Sequence, residues 1–76
     1  MGRTFVGNYR GHEFSILCKD WPNGWVVEVG FQIPGIPTRR FDDELFLSYD
    51  EARAYAEREA KALIDDLIDN GAIQAL

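Results

Sequence analysis

The chain has 76 residues, 46 % of them apolar and 13 % aromatic, with a formal net charge of −5. That size holds one domain with a thin core, and that apolar content is too rich for a disordered chain. A single cysteine, Cys18, excludes a disulfide framework and a zinc ribbon, and no apolar run reaches membrane-spanning length.

Charge divides along the chain. Residues 1–40 carry five cations against three anions, whereas residues 41–76 carry three cations against ten anions. The acidic balance argues against non-specific nucleic-acid binding, which depends on lysine and arginine neutralising phosphates. The start, Met1-Gly2-Arg3-Thr4-Phe5, lacks the apolar region of a signal peptide, so a cytoplasmic location is expected.

Thr4 to Tyr9 alternates, with Phe5, Gly7 and Tyr9 on one face, and Arg10-Gly11-His12 forms a tight turn. In the second run, Glu13 to Lys19, the residues Phe14, Ile16 and Cys18 share a face. Asp20-Trp21-Pro22-Asn23-Gly24 is a second turn, and its proline cannot donate to a central ladder. Trp25, Val27, Val29, Phe31 and Ile33 then line one face of a third strand. Pairing Phe5 opposite Ile16 and Cys18 opposite Val27 brings every apolar face to the same side. Ile33-Pro34-Gly35-Ile36-Pro37 stops the sheet. The meander has three strands, or four if Thr38 to Phe41 add a short edge strand, and Asp42-Asp43-Glu44 reads as a polar loop.

Ser48 and Glu51 form a capping box for a helix from Tyr49 to about Asn70, and Gly71 is a stop signal. At 100° per residue, Ala52, Ala56, Ala60, Leu63 and Leu67 share a stripe with Ile64 on its flank. The alanines let the helix lie close to the sheet over Gly7. The expected fold is an α+β two-layer sandwich, β-β-β-α over residues 1–76. Its core should hold Phe5, Phe14, Ile16, Trp25, Val27, Val29, Phe31, Ala56, Leu63 and Leu67.

The chain carries no motif for a phosphate loop, hydrolase, kinase or dinucleotide site, so a non-catalytic module without cofactor or metal is expected. His12 has no metal-ligand spacing around it and reads as an exposed turn residue. Cys18 reads as inert core packing. The acidic stretch Asp42-Asp43-Glu44 lacks the spacing of a calcium loop, and Asp50 and Glu51 suit the positive end of a helix. Asp65, Asp66 and Asp69 crowd the end that prefers cations, either as a solvated face or as an acidic patch for a basic partner. Val6, Leu17 and Val26 on the outer sheet face, with Trp21 at the turn, are candidate contacts for a protein partner or a second copy. The tail Ala72-Ile73-Gln74-Ala75-Leu76 either tucks against the sheet or awaits another chain. The alternative class is nucleic-acid binding through Arg3, Arg10, Lys19, Arg39 and Arg40.

Two resemblances bear on these residues. Tyr9-Arg10-Gly11-His12, Asn23-Gly24-Trp25-Val26-Val27-Glu28-Val29, Arg39-Arg40-Phe41 and Ser48-Tyr49-Asp50-Glu51-Ala52 resemble a group of small proteobacterial β-β-β-α domains of unknown function. That resemblance implies a fold and no activity. The stretch from Gly24 to Ile68 is similar to HicB-like antitoxin modules through Gly24-Trp25-Val26-Val27-Glu28-Val29, Ile33-Pro34-Gly35-Ile36-Pro37-Thr38 and Ser48-Tyr49-Asp50-Glu51-Ala52. This second resemblance implies a partner that is a basic, RNA-cleaving toxin. Asp65, Asp66 and Asp69 would then face its cationic surface.

Overall fold

The computed structural model describes residues 2–75, apart from the side chains of Asp42 and Asp43; Met1 and Leu76 lie outside it. Strands β1 (Gly2–Tyr9), β2 (His12–Trp21), β3 (Gly24–Phe31) and β4 (Arg39–Phe46) precede helix α1 (Tyr49–Asp69). All neighbours are antiparallel, in the order β1-β2-β3-β4, and the helix covers one face. The fold is the expected α+β sandwich, with Phe5 opposite Ile16 and Cys18 opposite Val27.

Local chemistry explains both hairpins. Arg10 and Gly11 both take positive φ, 52° and 83°, which is the type I′ turn whose twist matches two paired strands. Glycine adopts this freely, whereas Arg10 is held there against its own preference. Trp21 pairs with Gly24, leaving Pro22-Asn23 at the centre of the second turn, where proline suits the first central position.

The fourth strand is real and longer than residues 38–41. The run 42–44, read from sequence as a loop, belongs to β4. Trp25 faces Phe46 and Val27 faces Phe41, so residues 42–45 bulge opposite Val26 alone. A bulge leaves residues unpaired, and for that reason its sequence looks like a loop.

The core is apolar throughout: Phe14, Ile16, Cys18, Val27 and Val29 from the sheet meet Ala52, Ala56, Ala60 and Ile64 from the helix. Among the described residues no buried side chain is polar or charged. Phe5, Trp25 and Phe31 are partly buried against this cluster, as are Phe41, Phe46 and Tyr55. Leu63 and Leu67 depart from expectation, since both are only half-buried while Ile64 is fully enclosed. The contact follows the i, i+4 ridge of the helix, which inclines to the helix axis, so a stripe drawn parallel to the axis drifts off it.

A ring from the neighbouring strand stands nearest to Gly7. A Cβ there would stand 2.5 Å from Cζ of Phe14, so the ring of the facing strand fills the space the glycine leaves.

At the start of α1, Ser48 Oγ accepts from the Glu51 amide at 3.2 Å, and Glu51 Oε2 accepts from the Leu47 amide at 3.3 Å. The reach-back bond thus goes one residue before the cap. At the other end Gly71 N–H donates to Ile68 and Ala72 N–H donates to Leu67, which is a Schellman motif closed by Gly71 at φ 76°. The motif turns the tail back, and Ile73 packs on the core. Leu76, the end of that tail, lies outside the described residues.

Candidate interaction surface

Antiparallel register decides which residues share the helix-free face. Thr4, Leu17, Glu28 and Arg40 form one row across the sheet; Val6, Ser15 and Gly30 form the next, and Lys19 lies opposite Val26. Val6, Leu17 and Val26 therefore stand on a diagonal, each opposite a polar side chain: Ser15, Glu28 and Lys19 respectively. Diagonal neighbours lie within reach of one another, so the three make an oblique apolar stripe.

The stripe ends in a hollow of about 470 Å³ lined by Lys19, Trp21, Asn23, Val26, Glu28, Arg40 and Leu45. Its floor is apolar. Trp21 remains 56 % exposed and Leu45 54 %, although both are large hydrophobic residues. Val26 is buried on this outer side of the sheet, opposite Lys19, and not beneath the helix.

A three-member ion cluster edges the hollow. Lys19 Nζ donates to Glu28 Oε1 at 3.0 Å, and Arg40 Nε approaches the same oxygen at 3.2 Å. The Glu28 side chain is only 17 % exposed, whereas both cations are much more open. Among the described side chains of this cluster, two cations share one carboxylate. Glu28 and Leu45, both absent from the sequence candidates, join this site through β4. With the strand and its bulge placed, Arg40 falls opposite Glu28 and Leu45 comes to the hollow.

The acidic helix end is organised differently. Asp65 accepts from the Tyr9 hydroxyl at 3.1 Å and pairs with Arg10 at 2.8 Å, tying the helix to the first hairpin. The hydroxyl–Asp65 hydrogen bond is the main reason the Tyr9 phenol is held above its ordinary pKa, and Arg10's own hydrogen bond to Asp65 is the main reason its guanidinium is raised. Asp66 and Asp69 are exposed.

The five cations singled out for nucleic acid do not converge. Lys19 and Arg40 meet at Glu28, and Arg10 meets Asp65. Arg3 stacks 4.8 Å from the centre of the Tyr49 ring, and Arg39 pairs with Val29 at helix-side register. His12 is half-buried rather than an open turn residue, because its Nε2 bonds the Gln74 carbonyl at 2.5 Å and pins the tail. Cys18 is fully enclosed, and burial pushes its thiol pKa up. Among the described residues no group of three His, Cys, Asp or Glu side chains could hold a metal ion. No helix among them is long and apolar enough to cross a membrane.

Compared with known proteins, the chain matches no family model, no curated protein and no solved structure.

Proposed function

We propose that the chain is a non-catalytic protein-interaction module whose outer sheet face receives a segment of a partner polypeptide. The observation that carries this reading is the hollow beside the Lys19–Glu28–Arg40 cluster, where Trp21 and Leu45 stay exposed above Val26. Its volume suits one or two side chains, and exposed tryptophan and arginine are the residue types on which binding energy concentrates. Lys19 and Arg40, which share the single Glu28 carboxylate and stay largely open, favour a partner that sets a carboxylate next to an apolar side chain, because complementary charge selects the partner and speeds encounter. Asp65, by contrast, already has two partners within the chain.

The test is a titration of the labelled protein with a short peptide containing Phe-Asp, followed by nuclear magnetic resonance. Amide shifts should cluster at Lys19, Trp21, Val26 and Arg40, and Trp21→Ala with Arg40→Glu should abolish them. Shifts confined to the helix, or none at millimolar peptide, would reject the proposal.

A further inference from the structure

We infer that β1 pairs edge to edge with β1 of a second copy, joining two sheets into one across a two-fold axis at Val6. The sheet has two edges, and they are protected unequally. On the β4 side the ladder is broken by the bulge, and the acidic run 42–44 lies there. Bulges and charges are the usual devices against edge pairing. β1 has neither: its eight residues pair with β2 in unbroken register and include one charge, Arg3, and no proline.

The open backbone groups can be assigned. Tyr9 and His12 close the type I′ turn, so odd-numbered residues of β1 bond to β2. Gly2, Thr4, Val6 and Asn8 consequently turn their N–H and C=O groups to the free edge. A dyad at Val6 sets Val6 opposite itself and Thr4 opposite the partner's Asn8, closing about six hydrogen bonds. Val6, 59 % exposed in the single chain, gains an apolar neighbour.

Charge on the helix selects this register over its neighbours. Arg53 lies over the Phe5 ring at 5.0 Å and Lys61 near the Tyr9 ring at 5.7 Å. Glu57 bridges the two cations and so stands level with Gly7. Both helices fall on one side of a joined sheet only when residues of equal parity face each other. A dyad at Phe5 would set Arg53 level with its own copy, and one at Gly7 would do the same to Glu57. The dyad at Val6 sets Arg53 level with the partner's Glu57, and Glu57 level with the partner's Arg53. Opposite charges then meet on both sides of the axis.

Sedimentation equilibrium of the full chain from micromolar to millimolar concentration tests this. A reversible dimer is expected, and Val6→Lys, which sets like charges opposite each other at the axis, should weaken it about tenfold or more. Arg53→Glu should also weaken the dimer, and adding Glu57→Arg to it should restore association, whereas Trp21→Ala in the hollow should leave it unchanged. A strict monomer at every concentration would overturn the inference. So would a dimer that ignores both Val6→Lys and Arg53→Glu in variants whose circular dichroism matches the parent.

Discussion

Replacing Ile64 and Leu63 in turn measures where the helix meets the sheet. Ile64→Ala removes three carbons from a fully enclosed side chain. At about 0.8 kcal/mol per buried carbon the transfer loss is roughly 2.4 kcal/mol. A void that collapses to about 40 Å³ adds about 1 kcal/mol, since each Å³ of residual cavity costs about 24 cal/mol. The expected cost is therefore about 3–4 kcal/mol, reduced by a few tenths because alanine favours the helix. Against a stability of roughly 4–11 kcal/mol for a chain of this length, that is a large fraction. Leu63 is half-buried, so Leu63→Ala should cost only about 1 kcal/mol. Guanidinium unfolding followed by far-ultraviolet circular dichroism reads both, with unchanged slopes showing that only stability moved. Equal losses, or a larger loss at Leu63, would refute the i, i+4 contact line.

Gly7→Ala drives a methyl group into the Phe14 ring and should cost about 1–3 kcal/mol by the same unfolding assay, and Phe14→Leu in the same chain should recover part of it. The folded protein holds the Tyr9 proton more tightly than the unfolded chain does, chiefly through Asp65, so the unfolded state releases it first and stability falls as pH rises past about 10. Asp65→Asn should lower the Tyr9 midpoint in an ultraviolet titration and weaken that alkaline loss. The Cys18 thiol should react with a disulfide reagent only at the rate at which the domain opens, and a rapid native reaction would place the sulfur at the surface.

The sheet was legible because period-two alternation and turn residues agree over β1, β2 and β3, which leaves one register that buries every apolar face. The helix and both its caps were legible from Ser48, Glu51 and Gly71. Its facing line was not, because a helical wheel treats contact as parallel to the axis and so traded Ile64 for Leu63 and Leu67. The full extent of β4 was hidden by its own bulge, since an unpaired acidic run has the composition of a loop. The hollow depended on that strand: Val26 and Trp21 were visible as exposed-face residues, but Leu45 and the Glu28–Arg40 pair were not. The bonds joining Asp65 to Tyr9 and Arg10 span more than fifty positions, and no local pattern announces such a pair.

Chain order has a consequence for how this protein is made. Each strand pairs with its sequence neighbour, so the hairpins can close within microseconds of emerging from the ribosome. Their shared face, with Phe14, Ile16, Cys18, Val27 and Val29, has no cover until the segment Tyr49–Asp69 has been synthesised. At about 5–20 residues per second the 38 residues between the end of β3 and the end of the helix (69 − 31) take about two to eight seconds. During that interval a nascent chain with correct strand pairing still displays its whole greasy side. Translation speed from the end of β3 through the helix codons therefore sets how long a chaperone, or another unfinished copy, has access to it.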